Sequence, residues 1–410
     1  MDFLDIIKNA KKASLKLANL SSETKNLALE AVADSIEKNR QKIMEANAQD
    51  LVNGQKLVDT GELSQAVFNR LKLDENKMNA MIAGVKDLIK LDDPINKCLF
   101  ARQLDKGMNL YKMSCPIGVL GIIFEARPDV ITQVSALAIK SANAVILKGG
   151  KEAINTNKAI FDAIQEALNN VEEYPQYAIN QIFSHEDVAK MLDMNDYIDL
   201  IIPRGGNALV KFIKENTKIP VLGHADGICH IFVDESADLK MATEVIIDSK
   251  TQYPSACNAV ETLLIHKDFK YSNELIEALK NAEIKMIDNP ESWAFEYSDK
   301  ILAYKSVENI DEAIEHINKY GSGHTDAIIS GDIENAGKFL DNVDSAGVYH
   351  NVSTRFSDGY RYGFGAEVGI STNKTHARGP VGLEGLTIYK YRLYGNGHIV
   401  KDYVDGTNNL

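Results

Sequence analysis

Between residues 129 and 240 short apolar runs alternate with amphipathic stretches of helical period. "AVILK", "YAINQIF", "IDLIIP", "IPVLG" and "CHIFVD" are strand-like, and "DVITQVSALAIKSAN", "EAINTNKAIFDAIQEALNN", "EDVAKMLDM" and "NALVKFIKEN" are helix-like. Parallel strands need long crossovers, and crossover helices bury their apolar stripes on the sheet, so this rhythm predicts a parallel sheet covered on both faces. Ligands then belong at the strand C-termini. The alternation restarts near residue 240 with "VETLLIH", "IKMID", "ILAYKS", "TDAIIS" and "GVYHN", which predicts a second α/β unit. Upstream, residues 1 to about 95 read as amphipathic helices, with Ser22 at one start and Gly54 at its end. Two strands around the turn "DKG" come next, and the tail "LTIYKYRLYGNGHIV" reads as a long strand free to pair with that hairpin or with a neighbouring subunit.

At 410 residues the chain is long enough for two or three domains. Its net charge of -13 is spread along the sequence, which disfavours nucleic acid as a partner and makes any anion site local. Cys98, Cys115, Cys229 and Cys257 form no CxxC pair and no zinc-spaced cluster. Neither a disulfide framework nor a structural metal is expected, and a cytoplasmic location fits. The N-terminus lacks the basic start and apolar run of an export signal, and no segment reaches the roughly 18 apolar residues of a membrane span. The expectation is a soluble protein.

Two strand ends carry paired glycines beside cations. Lys148-Gly149-Gly150-Lys151 follows "AVIL", and Arg204-Gly205-Gly206 follows "LIIP" ahead of a helix. Glycine lets backbone approach a ligand, and a helix N-terminus attracts anions, so both segments suit phosphate; either alone also reads as a plain strand-to-helix turn, but two in one sheet are harder to dismiss. Arg127, in "FEARPD", ends an apolar strand where its guanidinium could grip a carboxylate or phosphate, or form a surface ion pair. "VLGHADGICH" brings His224, Asp226 and His230 together, read as a loop lining a site in preference to a metal centre. "RYGFGAEVGISTNKTHARGPVGLEGL" reads as a substrate-enclosing loop or as a connector. In "TQYPSACNAVE", Cys257 sits among small and polar residues, which favours a reactive thiol over a core cysteine.

Taken in order, "CPIGVLGIIFEARPDV", "NAVILKGGKEA", "PRGGNALV", "PVLGHADGICHIFVDESADL", "SACNAVETLL" and "THARGPVGLEGL" resemble the gamma-glutamyl phosphate reductase branch of the aldehyde dehydrogenase superfamily, over nearly the whole chain. The resemblance implies an aldehyde dehydrogenase-like α/β fold of three parts. A cofactor-binding part comprises residues 1–98 and 115–238, a catalytic part residues 239–375, and a β-flap for oligomerisation residues 99–114 and 386–410. Cys257 matches the superfamily nucleophile. Val221 stands where hydrolytic relatives keep the glutamate that activates water, Arg127 where they keep an oxyanion-binding asparagine, and Lys151 where NAD-preferring relatives keep a ribose-binding glutamate. An ammonium there attracts a 2′-phosphate, so NADPH is the expected cofactor.

The implied reaction is reduction of L-glutamyl 5-phosphate to glutamate 5-semialdehyde through a Cys257 thioester, in proline biosynthesis. Cofactor-binding residues are then expected at Lys148, Gly149, Gly150, Lys151, Arg204, Gly205, Gly206 and Glu296. Catalysis is expected from Cys257 and Arg127, and substrate binding from Asn258, His224 and Arg378. A homo-oligomer and a transient complex with glutamate 5-kinase are the expected partners. Competing readings are a hydrolytic aldehyde oxidiser, against which Val221 stands, and a nucleotide-binding regulator, which needs no accessible thiol.

Overall fold

The computed structural model describes residues 2–404, apart from 224, 225 and 289. Two parallel sheets carry the architecture. The first holds β3 (Val119–Phe124), β4 (Ala144–Lys148), β5 (Ile179–Ile182) and β6 (Leu200–Arg204) in the order β5-β4-β3-β6. Every residue of β3, β4 and β5 is buried, as expected for strands covered on both faces. Its crossovers are α6 (Asp129–Lys140), α7 (Ile154–Leu168) and α8 (His185–Leu192), and α9 (Asn207–Glu215) follows β6.

Five helices precede this sheet: α1 (Phe3–Leu17), α2 (Ser22–Lys38), α3 (Arg40–Asp59), α4 (Gln65–Leu71) and α5 (Glu75–Lys90). Ile7, Leu17, Leu29, Val32 and Ile36 join the core of the first sheet, so the helical lead-in is part of its covering layer. Ser21, one residue before the expected cap, accepts the Thr24 N–H at 3.0 Å. Gly54 ends nothing. It lies inside α3, where an added Cβ would stand 3.1 Å from the Phe68 ring, so glycine serves helix packing there.

The second sheet is six-stranded, in the order β12-β11-β7-β8-β10-β9. Its members are β7 (Cys229–Val233), β8 (Val260–His266), β9 (Lys285–Asp288), β10 (Ile301–Val307), β11 (Thr325–Ile329) and β12 (Gly347–His350). Helices α10 (Leu239–Thr251), α11 (Ser272–Asn281), α12 (Ile310–Tyr320) and α13 (Ile333–Asn342) connect them. One boundary differs from the sequence expectation. β7 was expected with the first unit, up to residue 238, but it pairs in parallel with β8 (Ile231 opposite Leu263) and with β11 (Ala327 opposite Ile231), at the centre of the second sheet. The stretch "IPVLG" makes a single bridge, Val221 to Ile201, instead of a full strand.

A separate antiparallel sheet joins β1 (Cys98–Asp105), β2 (Met108–Pro116) and β15 (Thr387–Tyr394). Gly107 (φ 81°) supplies the left-handed position of the "DKG" turn. The C-terminal strand does pair with the hairpin, Ile388 opposite Cys115. β13 (Ile370–Ser371) and β14 (Gly379–Pro380) form a small ribbon in the glycine-rich stretch. Among the described residues no helix is long and apolar enough to cross a membrane.

Candidate active site

The C-terminal ends of β3 and β6 face the segments that lead into β7 and β8 across a cleft of about 730 Å³. From the first sheet come Glu125, Arg127, Arg204, Gly205 and Gly206; from the second come Tyr253, Cys257, Asn258, Glu296 and Arg355. Glu367, Gly369 and Ile370 of the glycine-rich stretch also line it, so that stretch encloses the cleft instead of merely connecting.

Cys257 lies three residues before β8, in a turn where the Ala256 N–H donates to the Tyr253 carbonyl and the Ala259 N–H to the Ala256 carbonyl. Gly227 packs on its backbone: a Cβ at 227 would lie 2.4 Å from the Cys257 Cα. Behind it, the buried Cys229 thiol donates to the Cys257 carbonyl at 3.4 Å. Burial alone would push the Cys257 thiol up. The charge of His324, a hydrogen bond from its ring and the charge of Arg204 together outweigh burial and hold the thiol below its ordinary value, against an opposing push from Glu296. Cys229 is the contrast, raised well up by burial and by the neighbouring charge of Asp326.

His324 was not among the sequence candidates. It is fully buried, one residue ahead of β11, with Nδ1 2.8 Å from the Thr325 hydroxyl. Its only sequence signal was a histidine before a strand in "GSGHTD". The long separation from Cys257 hides the pairing, which exists because the second sheet aligns the starts of β8 and β11 on either side of β7.

The other expected residues divide. Arg127 and Arg204 both line the cleft, and their like charges lie close enough for Arg127 to add to the effect of burial in lowering Arg204. Gly205 and Gly206 lead into α9, but the anion at that helix start is the chain's own: the Gly206 N–H donates to Glu125 Oε2 at 3.0 Å. A Cβ at Gly205 would come within 2.5 Å of the same carboxylate. Gly149 and Gly150 are likewise covered from within, by Asn157 and Glu152. Glu152 also accepts the N–H of Ala126, which stands at φ 44°. Lys148, only 4% exposed, has no hydrogen-bond or ion-pair partner among the described residues, and burial lowers its pKa; Lys151 is exposed.

Glu296 lines the cleft and accepts the Gly227 N–H at 3.1 Å. The next two residues, Tyr297 and Ser298, donate their N–H groups to Glu261 at 3.3 and 3.4 Å. Glu261 forms a fully buried pair with Lys250, 2.7 Å apart. Burial pushes its carboxyl up to about 7, against the pull of Lys250.

Asn258 lines the cleft, but its amide N–H donates to the Ser357 carbonyl at 2.8 Å, which ties the nucleophile's neighbour to the opposite loop. Arg378 is not a lining residue. It is engaged by Asp344, 3.1 Å away. His230 is buried against Asp326, its Nδ1 3.1 Å from the carboxylate, and Asp226 accepts from Asn207, so neither is arranged around a metal. His224 lies outside the described residues.

The aldehyde dehydrogenase family model matches residues 1–297. Gamma-glutamyl phosphate reductase of Brachyspira hyodysenteriae is 57% identical over 421 residues, covering 99% of this chain and 98% of that protein. The chain belongs to the gamma-glutamyl phosphate reductase branch of the aldehyde dehydrogenase family. It is an oxidoreductase. The Pelotomaculum thermopropionicum gamma-glutamyl phosphate reductase is 49% identical, over 98% of this chain and 95% of that protein. The crystal structure of gamma-glutamyl phosphate reductase from Thermotoga maritima superposes with a TM-score of 0.93, covering 97% of this chain and 100% of that one at 39% identity. An acetylating aldehyde dehydrogenase from Geobacillus thermoglucosidasius, 17% identical with a TM-score of 0.69 over 97% of each chain, shares the fold.

Proposed function

We propose that this enzyme reduces L-glutamyl 5-phosphate to L-glutamate 5-semialdehyde with release of phosphate, a step toward proline. The observation that carries this reading is a thiol held below its ordinary pKa by His324 and Arg204, in a cleft that also presents Arg127 and Arg355. Such a site activates a nucleophile and receives a polyanion.

In this reading His324 takes the proton of the Cys257 thiol, and the thiolate attacks the acyl carbon. The C–S bond forms as the carbonyl π pair moves onto oxygen. The resulting oxyanion is met by the backbone N–H of Cys257 and by Arg127, the kind of preorganised donor that stabilises developing charge. Collapse expels phosphate, whose charge Arg127 and Arg204 offset, and leaves a thioester. Val221 cannot deliver water to that thioester; its carbonyl accepts from Asn373 at 2.7 Å and its side chain carries no base.

The donor set suits a nicotinamide cofactor with a 2′-phosphate. Lys148 is a buried amine at the end of β4 with no hydrogen-bond or ion-pair partner among the described residues, and Lys151 follows on the exposed side. These two lysines would hold the phosphate, and Glu296 would be a further cofactor contact. When bound, NADPH supplies the hydride that takes the acyl group from the thioester to the aldehyde level. The three-part division follows, with β7 reassigned to the catalytic part. Exposed Tyr391, Leu393 and Tyr394 on β15 suit a flap that packs in a homo-oligomer, and a transient complex with the kinase that makes the labile acyl phosphate fits the same scheme.

The test is the reverse assay. Purified enzyme given glutamate semialdehyde and NADP should form NADPH only when inorganic phosphate is present. Equal rates without phosphate would favour the hydrolytic reading.

A further inference from the structure

Arg355 belongs to a short 3₁₀ turn, Thr354–Phe356, on the second-sheet side of the cleft. The side chain is 9% exposed, and burial lowers its pKa. Its Nε donates to Gln252 Oε1 at 2.9 Å, and its guanidinium carbon lies 5.9 Å from the centre of the Tyr253 ring. Among the described residues neither Nη atom has a hydrogen-bond or ion-pair partner. A guanidinium buried to that degree, with one edge fixed and its terminal fork empty, is a prepared anion site, because leaving such donors unmatched is costly.

The backbone around it is also fixed. Arg361 Nη1 donates to the Arg355 carbonyl at 2.7 Å, Ser249 Oγ accepts the Thr354 N–H at 3.2 Å, and Asn258 holds Ser357. Gln252 and Tyr253, which orient the guanidinium, lie in the same segment as Cys257. The fork is therefore positioned relative to the thiol, and the Cys257 charge acts on Arg355.

The substrate in the reading above offers two anions, the acyl phosphate at the reacting end and the α-carboxylate at the other. Arg127 and Arg204 stand together, and adjacent like charges suit a phosphate that carries more than one negative charge. Arg355 has a like charge near it in Arg361, which adds to burial in lowering it, but it also has Asp358, whose carboxylate favours the charged guanidinium and lines the same cleft. A cation next to an anion matches the zwitterionic end of an α-amino acid. Two parallel N–H groups also match a planar carboxylate.

We propose that Arg355 recognises the substrate α-carboxylate and is the residue that makes the site select an amino-acid semialdehyde over a plain aldehyde. This rests on the reaction assigned above. The experiment measures phosphate-dependent NADP reduction with glutamate semialdehyde and with butanal, which lacks both α groups, in wild type, Arg355→Gln and Arg355→Lys. Wild type should prefer the semialdehyde, and Arg355→Gln should cut the ratio of the two kcat/KM values about tenfold to hundredfold, the range for losing a charge-assisted hydrogen bond. The loss should lie in the KM for semialdehyde and not in the KM for phosphate. Arg355→Lys, which keeps the charge without the fork, should fall between.

A wild type that turns over both aldehydes equally well overturns the proposal without recourse to any variant. So does a ratio unchanged in Arg355→Gln, or a rise confined to the phosphate KM, which would place Arg355 on the phosphoryl group. These outcomes leave the reaction assignment intact; absence of phosphate-dependent turnover in wild type would remove both.

Discussion

The two sheets meet the cleft with opposite ends. The first presents the C-termini of β3 and β6, and its contribution is local: short loops in which glycines, arginines and carboxylates follow a strand within a few residues. The second presents the approaches to β7, β8 and β11, and its contribution is assembled: Cys257, His324 and Glu296 come together only because the strand order brings them together. One sheet brings Arg127 and Arg204 into the cleft on strand-end loops. The other builds a reactive thiol, stiffened from behind by a buried Lys250–Glu261 pair that also grips the backbone after Glu296.

If that division is right, loss of the thiol or its histidine on the second sheet should abolish chemistry and leave cofactor binding, whereas damage to the first should alter cofactor and phosphate binding. Cys257→Ala should remove turnover while NADPH affinity, read by cofactor fluorescence, stays within a few-fold. Cys229→Ala should keep most activity, since burial holds that thiol protonated.

His324→Asn should lower kcat/KM by about 10²- to 10⁴-fold, the range for losing a positioned base. It should also raise the pH midpoint of Cys257 alkylation by iodoacetamide. The sign follows from the thiolate being the reactive form: with the pKa lowered in wild type, reactivity persists below the ordinary thiol range and is lost as pH falls through the folded value. An unshifted midpoint would make His324 a packing residue.

Lys250→Met leaves Glu261 buried without its cation and should cost about 3 to 5 kcal/mol in thermal or denaturant unfolding. The double variant Lys250→Met with Glu261→Leu should recover much of that stability yet still impair kcat, because Tyr297 and Ser298 lose their acceptor. Full recovery of activity would separate the pair from the positioning of Glu296.

On the first sheet, Arg127→Ala should lower kcat/KM by about 10²-fold, as for loss of one oxyanion or phosphate donor. Lys151→Glu should act on cofactor choice. It should shrink the NADPH preference over NADH by about tenfold to hundredfold, less at high salt because Lys151 is exposed. A ratio of kcat/KM values that does not move would remove Lys151 from the cofactor site.

Much of this was legible in the sequence, for identifiable reasons. The periodicity marked both α/β units and the hairpin because strands and helices leave local hydrophobic patterns. Cys257, Arg127 and Arg204 were marked by their position at strand ends or among small residues. β7 was misplaced since its apolar run suits either sheet, and only pairing with β8 and β11 decides between them. His324 and Arg355 were missed because each depends on a partner distant in sequence, Cys257 for one and Gln252 for the other. Gly206 was read as open to a ligand phosphate, whereas Glu125, far away in the chain, already occupies its N–H. Arg378 carried the motif signal of a substrate residue but is held by Asp344.

The central claim is that Cys257 receives the acyl group before any hydride is transferred. The most direct measurement mixes the enzyme with freshly generated L-glutamyl 5-phosphate in the absence of cofactor, then follows phosphate release and the mass of the peptide bearing Cys257. The account predicts a burst of phosphate matching the amount of enzyme and a glutamyl group on Cys257, discharged on adding NADPH and absent in Cys257→Ala. Phosphate release without acylation of Cys257, or acylation at another residue, would contradict it.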